Sequence, residues 1–551
     1  MMKIPLVFIS MMCAACAVPI AWTHGKNQAG RTSIGIGQPY RIYPSNVTQT
    51  ETFIVRHPHN SSILFASANT INLANGFISE GVYVTTDGGA SWWGNDTCTG
   101  ALITAHGGEP AIAIDRNGRL ILVRYGFNGI GLYSHYSTNY GRSWTSQRTI
   151  TTTQEDRPAV TTDGIPTSPF YGRTYAAWIR FASPYRVFFT FTTDGAANWS
   201  TPQAINNPVA PRSQGVDISI GPNGRVNVCW AGVIGTSPYT EDYVGFATST
   251  DGGASWTVTE NAFDVNGIQG TFPQKSNIRV NGLPRMDTDK TGGLRNGWIY
   301  IVTTQRNLAP AGSDPDIIFR RSTDNGQTWS AAVRVNSDPL NNGKSQYFPA
   351  IHVDDFGAIN VLYYDDRETT SDSATVYLSR STDGGDSWRD YRVINYNFKP
   401  SPIGGLGQGY QGDNIGVTST GNTLWPVWMD NSSGIYQIWT CPIDITTLDV
   451  ERIDDDVPDR FELHQNFPNP FNPTTQISFS IRTSAFVTIK VFDMLGQEVG
   501  TLVKNEVTPG SYAVRFSGEG LPSGVYIYEL RASDAVSRYE HRQARKMVLI
   551  R

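Results

Sequence analysis

Charge is what this 551-residue chain most lacks: Asp, Glu, Lys and Arg make up 17% of it, against roughly 25% in ordinary soluble domains. The charges present nearly cancel, leaving a net −5. No basic surplus is available to neutralise a phosphate backbone, which excludes nucleic acid as a partner. So few Lys and Glu exclude a coiled coil, and 11% aromatic content excludes disorder. Long apolar runs are missing beyond the N-terminus. No later stretch approaches the roughly 18 apolar residues of a membrane helix, so no transmembrane span is expected in the mature chain. Cys and His are scarce, at 5 and 8. Cys98, Cys229 and Cys441 match no metal spacing and are expected as free, mostly buried thiols. The scattered His suggest no zinc cluster and no Ser-His-Asp set. No Gly-rich phosphate loop follows a strand and opens a helix.

The N-terminus reads as a targeting segment. MMK precedes the apolar run IPLVFISMMCAACAVPIA, which is too short and too rich in small residues for a comfortable span. A secretory signal over 1–22, cleaved near Ala21, is expected. The lipoprotein alternative places Cys16 after Ala14-Ala15, with Cys13 where Leu is usual.

What is plentiful is Gly (54) and Trp (14), with many Tyr, Ser and Thr. Such a composition suits many short strands joined by tight turns. The distribution is periodic. TTDGGASW begins at Thr85, STNYGRSW at Ser137, TTDGAANW at Thr192, STDGGASW at Ser249, STDNGQTW at Ser322 and STDGGDSW at Ser381. Asn139 replaces the Asp of the second copy and Ala196 a Gly of the third. The Asp/Asn positions are 52, 55, 57, 73 and 59 residues apart. A period in the fifties fits a four-stranded propeller blade with a loop. In each copy the Asp accepts backbone N–H bonds in a tight loop. The Gly supplies a positive φ, and the Trp packs on the sheet. These Asp residues are therefore fasteners, not catalysts.

A second pattern precedes the boxes: strand, tight turn, strand. Examples start at Glu51, Glu109, Asp156, Gln214, Phe272, Tyr347 and Tyr410. The last has no box after it. Seven units with six boxes result, the seventh short of an outer strand that residues 33–42 would supply.

The boxes resemble the Asp boxes of sialidases and of the wider bacterial-neuraminidase-repeat proteins, over about Ser33 to Asp444. The resemblance implies an all-β β-propeller at 33–446; the seven units counted above make it seven-bladed, with six blades, as in sialidases, as the alternative. Asp boxes also occur in non-enzymatic propellers, so the repeat alone says little about catalysis.

Residues 447–463, with ERIDDDVPDR at their heart, read as an acidic linker. Strand-like alternation with regular turn signals then suggests a small β-sandwich at 464–551. QNFPNPFNPTT, LPSGVYIYEL and RKMVLIR resemble the type A sorting domain of the type IX secretion system. That resemblance implies an Ig-like fold, the type IX secretion machinery as a partner, and a secreted or surface-attached protein exported across both membranes.

In a propeller, ligands bind where inner strands and their loops converge on the channel. The inner-strand starts carry Glu51, Glu109, Asp156, Arg157, Asp217, Tyr347, Tyr410 and Asp413; second-strand ends add Arg180, Asp365, Arg367 and Asp430. The sialidase resemblance implies a Tyr nucleophile assisted by Glu, an Asp acid/base and three Arg on the sugar carboxylate. Candidates of those types are Tyr347 or Tyr410, Glu109, Asp156, and Arg157, Arg212, Arg306 and Arg367. Arg157, Asp217, Arg367 and Asp413 are the expected substrate-binding residues. The family's first Arg lies in a Y/F-R-I-P motif; YRIYP at Tyr40 has an extra Tyr43 and precedes the first repeat, so the match is read as coincidental. No cofactor is expected. The one cation candidate is a structural calcium at DTDKTGG, Asp287 to Gly293, with Asp314 and Asp316. Trp298 stands there where a calcium loop has its Glu. The leading reading is an exported glycoside hydrolase of sialidase type acting on terminal sugars of extracellular glycans or glycoproteins. The alternative is a non-catalytic glycan- or protein-binding surface propeller, and a weaker third is a lyase or hydrolase of another polysaccharide.

Overall fold

The computed structural model describes residues 35–208, 212–454, 456–518, 521–534 and 540–550. The expected signal segment, 1–22, lies outside them. The described chain is all-β. Its first sheet has four antiparallel strands, Thr48–Arg56, Leu64–Asn72, Phe77–Thr85 and Trp93–Asn95, in sequential order. The same order recurs over Arg212–Asp264, Arg285–Arg334 and Gln346–Arg392. Between the first and these, the 15-residue strand Arg148–Thr162 serves two sheets. Its first half pairs outward, Gln154 opposite Ile130, and its second half inward, Thr162 opposite Thr174. The last sheet, Gly416–Thr420, Thr423–Asp430 and Gln437–Thr440, is completed by Tyr40–Arg41 from the other end of the chain. Its inner edge meets the first sheet, where Thr52 N–H donates to the Asn414 carbonyl at 3.0 Å. Arg41, from the YRIYP match, lies at this seam over the Trp439 ring.

The boxes fold as fasteners, and they do so between sheets. Asp251 accepts from Ser255 N–H (2.9 Å) and Ala254 N–H (3.0 Å), while Ser249 Oγ accepts from Gly253 N–H at 2.8 Å. The Trp reaches across to the neighbouring sheet. Trp256, Trp329 and Trp388 each meet, edge to face, an aromatic of the preceding sheet: Phe189, Phe246 and Phe319, at 4.8, 5.4 and 5.2 Å. Such pairs contribute about 0.5–1.5 kcal/mol beyond area burial. The box glycine is pressed on the same ring: a Cβ on Gly253, Gly326 or Gly385 would stand 2.1–2.3 Å from it. This accounts for Ala196. The corresponding residue of the preceding sheet is Ser134, not Phe, so a methyl fits, and Trp199 Nε1 donates to Ser134 Oγ at 2.8 Å.

The long box interval holds a hairpin, Gly270–Phe272 with Ile278–Val280. Lys275 at its tip is fully buried and donates to Asp366 (2.6 Å) and to the Ser371 and Ser373 carbonyls (2.9 Å each).

The segment expected as linker is partly strand. Val450–Asp454 pairs with Gly510–Ser517, and Glu462–Leu463 with Thr474–Ile481. The C-terminal module is two four-stranded antiparallel sheets enclosing one core, with Phe479, Ile489, Tyr528 and Met547 all buried.

Candidate functional site

The inner strands share a distortion that builds the site. Glu51, Glu109, Arg157 and Phe348 have φ of 51°, 53°, 57° and 53°, and Gly215 and Gly412 lie at 59° and 111°. Pairing slips by a residue at these points, between Thr50 and Phe53, Gln214 and Val216, and Tyr347 and Ala350. Each non-glycine residue so placed costs roughly 1–2 kcal/mol. Bulges of this kind turn a side chain away from the alternation of a regular strand. In three consecutive sheets the turned residue is charged: Glu51, Glu109 and Arg157.

All three line one cavity of about 500 Å³ at the mouth where the inner strands begin. Asp156, Tyr410 and Asp413 line it too, so five of the eight expected site residues converge there. Glu51 and Glu109 are hydrogen-bonded to each other, and burial, the leading cause at both, favours their protonated forms, reinforced at Glu51 by the Glu109 charge and at Glu109 by the Asp413 charge. Glu51 is pushed well above the carboxylate range, and Glu109 is pushed up to about 7 by burial, against the lowering effect of that bond. Asn69 orients the pair by donating to Glu51 Oε2 at 3.0 Å. Burial also raises Asp156, opposed by the adjacent Arg157 charge, and the Tyr125 hydroxyl donates to Asp156 at 3.1 Å.

Arg157 is engaged internally, donating to Asp413 Oδ2 and Asn414 Oδ1. Two further arginines of the cavity are not. Arg212 stacks over the Tyr239 ring at 3.7 Å, and its buried Nε has no hydrogen-bond partner. Arg279 lies over the Tyr410 ring at 4.7 Å and donates to the Gln408 amide oxygen at 3.3 Å. Among the described residues neither forms an ion pair. Tyr410 is flanked by Asn281 and Arg279, and burial pushes its hydroxyl up. Among the described residues it is Asp413, not a glutamate, whose charge bears on it. No local motif marks Arg279, which reaches the cavity on the inserted hairpin. The 73-residue box interval was the available signal. Tyr125, Phe127 and Phe181 also line the cavity unanticipated.

Three expected site residues lie elsewhere. Tyr347 is fully buried, bonded to Gln411 and covered by Phe272 of the hairpin at 5.7 Å. It precedes its αL residue as Asp156 does, but the hairpin seals it from the cavity. Asp217 ties neighbouring sheets, accepting from Met286 N–H at 2.9 Å. Arg367 is held among Asp365, Asp390 and the Tyr363 hydroxyl. Asp365 beside it is fully buried and pushed up to about 6 by that burial. Asp430 is fully buried, accepting from Trp428 and Tyr396 at 2.9 Å. Arg180 pairs with Glu155 at 3.2 Å, and Arg306 lies in a loop against Asn266.

The other channel mouth holds a second cavity of about 420 Å³ lined by Asp287 and His352. There Asp287 Oδ2 meets His352 Nδ1 at 3.3 Å and accepts from Val353 N–H at 2.8 Å, while His352 Nε2 meets Ser419 Oγ at 2.9 Å. Ser419 is fully buried, so this relay ties three sheets and presents no nucleophile. The calcium candidates do not converge: Asp314 accepts from Gly343 and Lys344 N–H, and Asp316 pairs with Arg334. Among the described residues no group of three or more His, Cys, Asp or Glu could hold a metal. Cys98, Cys229 and Cys441 are free and buried.

No curated protein sequence matches the chain. Among solved structures it is similar to an ulvan lyase of family PL25 bound to -[GlcA(1-4)Rha3S]-, at 11% identity over 74% of this chain and 96% of that one, with a TM-score of 0.48. It is similar to the BP39L lectin from Burkholderia pseudomallei, at 12% identity over 72% and 99%, TM-score 0.45. It is also similar to the intramolecular trans-sialidase from Ruminococcus gnavus, at 12% identity over 62% and 94%, TM-score 0.40. The BNR/Asp-box repeat family matches residues 320–331 and the secretion system C-terminal sorting domain residues 465–540. No helix among the described residues is long and apolar enough to cross a membrane. The chain thus carries a BNR/Asp-box repeat and a type IX C-terminal sorting domain, the latter marking it for export and for secretion or cell-surface attachment.

Proposed function

We propose that the protein is a glycoside hydrolase acting on an anionic sugar at the end of an extracellular glycan or glycoprotein. The observation that carries this reading is the division of the cavity: unpaired Arg212 and Arg279 on tyrosine rings, with the proton-sharing Glu51–Glu109 pair in the same site. A planar guanidinium offers two parallel donors to a carboxylate or sulfate. A carboxyl held near 7 still carries a proton at neutral pH and suits a general acid. In the proposed step Glu109 gives its proton to the departing glycosidic oxygen as the C–O bond breaks. Water adds to the anomeric carbon and yields a proton to Asp156, which Tyr125 orients. Asp156 then passes its proton to bulk water and Glu109 regains one from it, which closes the cycle.

This assignment departs from the sialidase arrangement, in which three arginines hold the carboxylate and a tyrosine attacks. Here Arg157 belongs to Asp413, and among the described residues the carboxylate that bears on Tyr410 is Asp413, not a glutamate. The scaffold is read as a ring of seven blades closed by Tyr40–Arg41, with an Ig-like sandwich for the tail that engages the type IX secretion machinery.

The test is release of a fluorogenic aglycone from aryl glucuronides, sialosides and sulfated glycosides. Glu109→Gln is expected to lower kcat at least 100-fold while ligand is still bound, and Arg212→Gln to raise KM at least tenfold. Binding without turnover would establish the non-catalytic propeller instead. Neither binding nor turnover with any anionic sugar would refute the reading.

A further inference from the structure

The rim of the same cavity carries apolar surface that its acid–base chemistry does not use. Phe127 and Phe181 both line the cavity, yet remain 59% and 40% exposed, with Ile130 beside them at 55%. A scattered exposed apolar residue is ordinary, whereas rings grouped on a polar site are not. The grouping is enforced by the backbone. Gln154 pairs with Ile130 on one side, and its carbonyl accepts from Phe181 N–H at 2.9 Å on the other. The two loops therefore flank the one strand that continues directly into Asp156 and Arg157. The Phe127 loop is a fixed turn, with Gly126 N–H on the Gly131 carbonyl and Gly129 N–H on the Gly126 carbonyl, both at 3.0 Å. Phe181 packs edge to face on Tyr185 at 5.5 Å, and Tyr185 in turn lies 5.7 Å from the Arg212 guanidinium. The aromatic wall thus runs unbroken from the rim to the unpaired cation.

We infer that Phe127 and Phe181 form a subsite for the second sugar of an oligosaccharide, whose terminal anionic residue is held by Arg212 and Arg279; this rests on the glycan reading above. The occupant follows from continuity with the cavity. A terminal sugar held by its anionic group at Arg212 and Arg279 sends its glycosidic bond outward to the cavity rim, where the rings stand. A pyranose ring presents a C–H face that covers an aromatic ring and hydroxyls at its edge that stay hydrated. That mixed character matches two open rings in a polar rim, and pockets of this make-up are common for ligands of sugar size. The substrate class is accordingly an oligosaccharide rather than a small glycoside. Both rings are expected to act on affinity for the longer ligand and not on the chemistry.

The test uses the full chain with Glu109→Gln, so that nothing is turned over. Calorimetric titrations use glucuronic acid and N-acetylneuraminic acid, each compared with the disaccharide and trisaccharide it terminates. The second sugar is expected to tighten binding about tenfold. Phe127→Ala with Phe181→Ala should reduce that gain to within twofold, leaving monosaccharide affinity unchanged, and Phe181→Trp should preserve it. Unchanged thermal melting shows that the variants fold. A monosaccharide that binds with no gain on lengthening, or a gain that survives both alanines, overturns the subsite and leaves the glycan reading standing. No binding at any length overturns both.

Discussion

Replacing Glu109 by Gln tests the electrostatics of the cavity through stability. The fold holds this carboxyl at about 7 instead of 4.5, mainly because burial penalises its charge. A raised carboxyl pKa means that the folded state binds the proton more tightly than the unfolded chain. Its stabilising contribution is complete below pH 4.5 and is lost as pH rises through about 7. At 1.36 kcal/mol per unit, that interval corresponds to about 3 kcal/mol. A glutamine has the same shape and never ionises. The wild-type protein should therefore lose on the order of 1–3 kcal/mol between pH 4.5 and 7.5 that the variant retains. Urea titrations followed by tryptophan fluorescence at pH 5 and pH 8 read the difference directly. The variant should be more stable than wild type at pH 8, and by a smaller margin at pH 5, while lacking activity. Parallel stability profiles for the two proteins would show that Glu109 titrates as an ordinary surface carboxyl, and the acid role would fall with it.

Lys275→Met leaves Asp366 buried without its cation and should cost about 3–5 kcal/mol, much of it recovered by adding Asp366→Leu; the loosened hairpin should also weaken anionic-ligand binding through Arg279. Asp251→Ala removes acceptors from an exposed box loop and should lower stability by roughly 1 kcal/mol with activity unchanged. Asp251→Asn should cost less, since Asn139 accepts from Ser143 N–H at 3.0 Å in the same role. Tyr347→Phe should leave turnover untouched and shift the denaturation midpoint slightly, by the single bond to Gln411 at 3.2 Å, worth about 1 kcal/mol.

The boxes and the tail were legible because they are local. A Ser or Thr, an Asp and a Gly at fixed spacing close the same loop wherever they occur. Completion of the last sheet by the N-terminal strand was legible by counting, since one unit lacked a strand. The site was legible only in part. Glu109, Asp156, Arg157, Tyr410 and Asp413 meet because each sits where an inner strand starts. Tyr347 sits at an equivalent place and is lost to the core, because an inserted hairpin folds over it. Asp217 and Arg367 have suitable chemistry, but their partners come from elsewhere in the sheets: Met286 N–H for one, and Asp365 with Asp390 for the other.

The sequence by itself therefore determined the repeat, the strand order and the export tail, each written in residues close together along the chain. The tertiary structure decided which polar side chains share a cavity. That choice depends on the left-handed backbone where the inner strands begin, which turns Glu51, Glu109 and Arg157 toward the cavity against ordinary alternation. It depends equally on a hairpin that delivers Arg279 and hides Tyr347. Both effects arise between segments far apart in the chain, where spacing along the sequence carries no information about distance.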